Sequence, residues 1–233
     1  MALKYGRTAF FAALFLFIFV LPSTSAMALS TCPRNTPKVI LKTYATKTRL
    51  IRSKSANDLT MWQTGHTNGG MRILGLGGGE MGSRLQVEFN IVTLKNGGKC
   101  AQVKTVFGKF YAKPQIHIAN NFQKGTCEYK AVMIHEKKHI AALKGFLREY
   151  SPKYEAELKR IVKKIPNATP VSSNQVASEE QETINFIKSY MYQYEQKIFS
   201  VLSGRQQKID SATEYKLVAS KCDKWEEKLA QNN

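Results

Sequence analysis

The spacing of apolar residues changes near Thr126, and this change constrains the fold more than any other feature of the chain. Before it, apolar and polar residues alternate through Leu85–Leu94, which is typical of a half-buried strand. Asn96-Gly97-Gly98 then predicts a hairpin, with Ala101–Tyr111 as the partner strand. After Thr126, apolar residues recur at helical spacing. We therefore expect an α+β fold in which an N-terminal antiparallel sheet precedes a mostly helical C-terminal half.

Residues 1–28 have the features of a secretory signal peptide. Lys4 and Arg7 supply positive charge, an apolar run follows, and Ala26-Met27-Ala28 fits a small-residue cleavage site. The apolar run is shorter than the ~20 residues of a spanning helix, so we expect a cleaved signal rather than an uncleaved membrane anchor. No second long apolar segment follows, so no transmembrane span is expected after signal removal. The prediction is an exported protein, periplasmic or extracellular. Residues 29–233 are expected to form a single domain, mainly β over 29–125 and mainly α over 126–233.

All four cysteines lie in the part of the chain that is expected to be exported: Cys32, Cys100, Cys127 and Cys222. An even number of cysteines in an oxidising compartment predicts two disulfides. Three pairings are possible. We favour Cys100 with Cys127, which would tie a strand to the start of a helix, and Cys32 with Cys222, which would tie the two ends together.

The chain is strongly basic, with a formal net charge of +18 at pH 7. Such an excess of positive charge predicts attraction to anionic surfaces. For an exported protein the candidates are lipid head groups, anionic envelope polymers and acidic peptides. No specific nucleic-acid partner is expected, because nucleic acid is less accessible there. The alternative interpretation is a solvated, lysine-rich surface.

Capping residues divide the C-terminal half into expected helices. Thr126 is a plausible N-cap of the first helix. Ser151-Pro152 predicts the start of a second helix, because proline is common at the first helical position. Ser178 begins a capping-box pattern that opens a long helix, which Gly204 can end. Ser211 begins a second capping-box pattern and predicts a terminal helix.

The first of these helices contains His135-Glu136-Lys137-Lys138-His139. Residues four apart lie on one face of a helix, so both imidazoles can reach one metal ion. Zinc binds neutral imidazole nitrogen and keeps one position open in catalytic sites, where bound water loses a proton easily. The sequence therefore predicts a Zn²⁺ site with His135 and His139 as ligands and Glu136 beside them.

This motif resembles that of the zincin superfamily of zinc metallopeptidases, which also place a sheet ahead of the motif helix. The resemblance implies that Glu136 is the general base and therefore the catalytic residue. It also implies that an edge strand aligns an extended peptide, and Gln115–Ala119 occupies that position along the chain. The expected function is an exported zinc-dependent peptidase or amide hydrolase that acts on peptide or cell-envelope substrates.

The third zinc ligand remains open at this point. The metzincin pattern requires a histidine where Gly145 stands, so that subgroup is disfavoured. Glu149 lies about 15 Å beyond His139 along the same helix and cannot share its metal. Of the other histidines, His66 is interpreted as a surface residue, and His117 as a strand residue facing water, with a metal ligand or a transition-state hydrogen-bond donor as the alternatives. The remaining candidates are all downstream carboxylates: Glu155, Glu157, Glu179, Glu180, Glu182 and Asp210.

Two further alternatives stay open. The chain could be a non-catalytic basic envelope protein that binds an anionic polymer or a partner protein, with the histidines in a structural role. It could also be a secreted effector or inhibitor that keeps a zincin fold without activity. The cluster Gly77-Gly78-Gly79 is interpreted as a flexible turn, because it lacks the spacing of a phosphate-binding loop.

Overall fold

The computed structural model describes residues 31–66 and 72–230, so the predicted signal peptide lies outside the described residues. A sheet fills the N-terminal half and helices fill the C-terminal half, which confirms the α+β prediction. The described elements, in chain order, are β1 (Lys38–Ala45), β2 (Arg49–Ile51), α1 (Ala56–Thr64), β3 (Gly75–Thr93), β4 (Lys99–Ile118), α2 (Cys127–Val162), a 3-10 turn (Ser173–Gln175), α3 (Val176–Ile209), α4 (Ala212–Ala219) and α5 (Trp225–Ala230).

Strand β4 is the centre of the sheet and pairs with every other strand. It runs antiparallel to β3, joined by the predicted hairpin at 94–98. On its other side, β1 and then β2 pair with it in parallel. The prediction of an antiparallel sheet is therefore wrong for two of the three pairings. Alternating polarity reports which face of a strand is buried, but it carries no information on the direction of the neighbouring strand.

The predicted edge strand is also misplaced. Residues 115–118 are the last part of β4 and lie between β2 and β3, so they cannot pair with a further chain. The glycine cluster is not a turn but part of β3. Gly79 has a φ of 120° and lies opposite Pro114, and a Cβ on Gly79 would be 2.2 Å from the Lys113 carbonyl oxygen. Glycine is needed there for the two backbones to approach.

Two disulfides form, as predicted, but both favoured pairings are wrong: Cys32 is bonded to Cys100 and Cys127 to Cys222. The parallel register pairs Lys38 of β1 with Thr105 of β4, and continuing it toward the N-terminus brings Cys32 beside Cys100. Cys127 opens α2, and its disulfide holds the segment between α4 and α5 against that end of the helix. Two disulfides are typical of an oxidising, exported compartment.

Helices α2 and α3 are both longer than predicted. Helix α2 continues through Pro152 instead of restarting there, and the Ser151 hydroxyl donates a hydrogen bond of 2.5 Å to the Leu147 carbonyl in the turn that the proline loosens. Helix α3 begins at Val176 and passes Gly204 without ending. None of the helices in the described part of the chain combines the length and apolar character needed to span a bilayer.

The main core lies between the sheet and the two long helices. Alternate side chains of β4 point toward α2, where Phe110 stacks on Tyr154 with ring centroids 4.6 Å apart. Helix α3 covers this layer with a stripe of buried residues at helical spacing: Ile187, Met191, Ile198 and Leu202. This packing fixes the position of α2 against β3 and of α3 against α2.

Candidate metal centre

His135, Glu136 and His139 lie in the first third of α2, on the side that faces the protein interior. The N-cap prediction is confirmed, since the Thr126 hydroxyl accepts a hydrogen bond from the Tyr129 N–H. All three residues are at least 95% buried, and their donor atoms lie within 4.8 Å of one another. Together they form a group that could hold a metal ion.

The two histidines present their Nε2 atoms to the same point, 3.3 Å apart. Asp210 reaches this point from the C-terminal end of α3, with its Oδ1 atom 3.2 Å from His135 Nε2 and 3.0 Å from His139 Nε2. In a tetrahedral zinc site, ligand atoms roughly 2.0–2.1 Å from the ion are about 3.3 Å from one another. The three donor atoms therefore have the spacing of one face of such a site, and of the open candidates Asp210 is the carboxylate that fits as third ligand.

Helix α3 also supplies a residue that orients the second histidine. His139 Nδ1–H donates to Gln206 Oε1 at 2.5 Å, and the Gln206 side-chain N–H donates to the His139 carbonyl at 3.3 Å. The bond at Nδ1 leaves Nε2 without a proton, which is the form that binds a metal. The sequence analysis did not identify Gln206, because its role depends on the packing of α3 against α2.

Glu214, in the first turn of α4, has the corresponding position next to His135. Its Oε1 atom lies 3.5 Å from His135 Nδ1 and is also bound by the Lys138 ammonium. That ammonium holds the pKa of Glu214 below its ordinary value, so the carboxylate is charged at neutral pH. A charged carboxylate behind an imidazole fixes the ring orientation and raises its basicity toward a metal. His139 thus has a hydrogen-bonding partner behind it, whereas Glu214 lies 3.5 Å from His135 Nδ1 without forming a hydrogen bond.

Tyr215 completes this side of the group. Its ring lies 5.7 Å from the His135 ring, and its hydroxyl lies near the Asp210 carboxylate. Burial, together with this nearby carboxylate, raises the pKa of Tyr215 to about 12. The hydroxyl therefore keeps its proton at neutral pH and is available as a donor to the aspartate. Sequence reasoning missed this residue, because its role depends on where α4 packs.

Glu136 lies against β3 rather than among the ligands. Burial raises the pKa of Glu136 to about 8, although the Gly77 backbone N–H donates to its carboxylate and lowers the pKa in part. A Cβ on Gly75 or Gly77 would come within 2.8 Å of a Glu136 carboxylate oxygen. Glycine at both positions is thus what allows the strand to pass so close to the helix. A buried carboxylate in this position is strongly stabilised by a nearby divalent cation.

The group opens into a cleft of about 1690 Å³. One wall is formed by residues 72–80 of the chain, mostly the start of β3, and the other by the ends of α3, α4 and α5. This part of β3 lies against Glu136 and pairs only with β4 among the described residues, so its other edge is free. An extended chain in the cleft would therefore meet the unpaired edge of β3 directly beside Glu136.

The other candidate residues lie away from the histidine pair. His117 is half-buried on β4 and borders the same cleft, where its ring packs 5.0 Å from Trp62. His66 is exposed. Three glutamates of α2 form ion pairs at the surface: Glu149 with Lys153 and Arg205, Glu155 with Lys159, and Glu157 with Arg160. The last three candidates lie on the first turns of α3, far along that helix from Asp210: Glu179, Glu180 and Glu182.

Comparison of the chain with protein-family models, with curated proteins and with solved structures gives no match. The functional argument therefore depends on the site itself.

Proposed function

We propose that this protein is a zinc-dependent hydrolase of peptide bonds or of related amide bonds. The observation that carries the proposal is the triangle of His135 Nε2, His139 Nε2 and Asp210 Oδ1, with sides of 3.0 to 3.3 Å. Two imidazoles and one carboxylate leave a fourth tetrahedral position open, as in catalytic zinc sites. A structural zinc site would instead be closed by four protein ligands. Bound here, zinc would acidify water and polarise a substrate carbonyl.

The proton transfers fall to Glu136. Its carboxylate lies at the cleft, within 4.8 Å of the histidine nitrogens, and is the one acid of the group that is not part of the ligand triangle. It accepts a proton from the attacking water and delivers it to the leaving nitrogen. The Gly77 N–H holds the carboxylate in place through both transfers. Gln206 and Glu214 keep the imidazole rings oriented, and Tyr215 does the same for Asp210.

The strand edge that borders the cleft suits a substrate with an extended backbone. The edge of β3 at 75–80 has no strand partner among the described residues other than β4, so its outward N–H and C=O groups can pair with a further chain. Four of these positions are glycines, Gly75 and Gly77–Gly79, so few side chains obstruct the approach. The role that sequence analysis gave to 115–119 is therefore assigned to this segment of β3 in the proposal.

The test compares the wild-type protein with Glu136→Gln, both purified without a histidine tag. We expect about one zinc per chain in both proteins, cleavage of a mixed peptide library by the wild type, and cleavage reduced at least about 10³-fold in the variant. Asp210→Asn serves as the second variant and should lose metal. Wild-type protein that binds no zinc would support the non-catalytic envelope protein instead. Zinc retained with equal cleavage by Glu136→Gln would remove Glu136 from the mechanism.

A further inference from the structure

Three basic residues form a row across the face of the sheet that points away from α2. The register places Lys42 of β1 opposite Lys109 of β4, and Lys109 opposite Arg84 of β3. Neighbouring strands are about 4.8 Å apart, so three positive charges start from backbone positions that span only about 10 Å. All three side chains are exposed. We call this set the cation row.

No carboxylate forms an ion pair with the cation row: in the described part of the chain, none of its members has a carboxylate oxygen within 4.0 Å. The nearest acids along β3 are Glu80 and Glu88, each four residues from Arg84. Glu80 is already bound by Lys113 at 2.9 Å and by the Tyr111 hydroxyl at 2.8 Å, and Glu88 by Lys104 at 3.1 Å. Like charges directly opposite one another destabilise a sheet. A row of three such residues is therefore an arrangement that folding alone does not favour.

Apolar and aromatic side chains border the cation row on the same face. On one side, Tyr44 stacks on Tyr111 with ring centroids 5.6 Å apart. On the other, Ile40 lies opposite Phe107, and their exposures are 38% and 37%. These side chains are mostly covered by their neighbours and lie within the sheet surface. Around the cation row, the face thus presents a strip of charge bounded by flat apolar surface.

We propose that the cation row is a binding site for an anionic polymer that carries repeated phosphate groups. A polymer places several charges on one molecule, so it can meet all three cations at once and release counterions from each contact. Arg84 offers a planar fork that matches phosphate oxygens, and the lysines act as point charges beside it. The site lies on the opposite face from the metal centre, so bound polymer leaves the cleft open. It would hold the protein at an anionic envelope surface.

The proposal is tested by titrating the full chain, without its signal peptide, with long-chain inorganic polyphosphate at low salt. The row variant changes all three residues: Lys42→Gln, Arg84→Gln and Lys109→Gln. A matched control removes the same charge from three exposed lysines outside the sheet: Lys124→Gln, Lys163→Gln and Lys188→Gln. We expect the row variant to bind at least tenfold more weakly and the control less than about twofold. The slope of log K against log[salt] should fall by about 2 to 3 in the row variant only.

Equal weakening in both triple variants would show that binding follows net charge, and would overturn the proposal. No binding by the wild type would do the same. A second arm uses vesicles of phosphatidylcholine with phosphatidylglycerol, and binding to these vesicles but not to polyphosphate would replace the polymer with a membrane. The melting temperature of each variant shows whether it is folded. If the triple row variant does not fold, the single variant Lys109→Gln replaces it in the binding measurement. None of these readouts depends on zinc, so they stay separate from the proposed hydrolase activity.

Discussion

The buried carboxyl group of Glu136 should make the stability of the metal-free protein depend on pH. Burial raises its pKa from 4.5 to about 8, so between these values the folded protein holds a proton that the unfolded chain has lost. A raised pKa in the folded state gives stability that is complete below the unfolded pKa and is lost as the pH rises through the folded pKa. Each pH unit in this window costs about 1.4 kcal/mol.

The perturbation is Glu136→Gln, which keeps the shape of the side chain and removes the titration. Between pH 5 and pH 8, wild-type protein without metal should lose about 4 kcal/mol of unfolding free energy relative to the variant. This is a large share of the 5–15 kcal/mol that is typical of folded proteins. The two stabilities should converge near pH 4, where the carboxyl is protonated in both the folded and the unfolded state.

The assay is urea unfolding of chelator-treated protein at pH steps of one unit, with both disulfides intact. Contributions of other groups cancel in the difference between the two proteins. With zinc added, the dication favours the Glu136 carboxylate, so the difference should shrink above pH 6. Parallel stability curves for the two metal-free proteins would refute the reasoning, because they would mean that Glu136 titrates alike in the folded and unfolded states.

Three further predictions concern the metal and the backbone around it. Asp210→Ala removes the proposed third ligand and should weaken zinc binding at least about 10²-fold in competition with a chromogenic chelator; unchanged affinity would exclude Asp210 from the site. Gly77→Ala places a Cβ 2.5 Å from the Glu136 carbonyl oxygen and should lower the melting temperature. Gly145→Ala, in helix α2, places a Cβ where no atom lies within 4 Å and should raise the free energy of unfolding by about 0.5–1 kcal/mol. Replacing Cys127 and Cys222 with alanine frees the chain segment that carries Glu214 and should weaken zinc binding, while loss of the N-terminal disulfide should lower stability only; equal zinc affinities in the two variants would contradict this.

The motif helix was predictable because its information is local. Periodic apolar residues and the Thr126 cap define α2, and the spacing of His135 and His139 then fixes their common face. Helix ends were less predictable. Gly204 fits the end of a helix by propensity, but the cost of one glycine is about 1 kcal/mol, and the hydrogen bonds between Gln206 and His139 just beyond it offset that cost. The extra turn that results is what brings Gln206 and Asp210 to the histidines.

The sheet was less predictable for a different reason. Alternation along β3 and β4 identified the hairpin, but a parallel partner such as β1 leaves no mark in its own sequence. The disulfide pairing of Cys32 depends on that register and could not be found without it. The role of Gly77 was hidden in the same way. Three adjacent glycines predict flexibility, while in the fold Gly77 is needed because the Glu136 carboxylate lies against it, and Gly79 because the β4 backbone does.

The donors that could meet at the metal are far apart along the chain, since His139 and Asp210 are separated by 71 residues. During synthesis the pair of histidines is made well before the aspartate, and the residues behind each imidazole also come later. A partly made chain therefore holds at most two of the three proposed ligands, and a site with two ligands binds a metal weakly. Any hydrolytic capacity appears only when the last helices have docked, so assembly itself postpones the reaction.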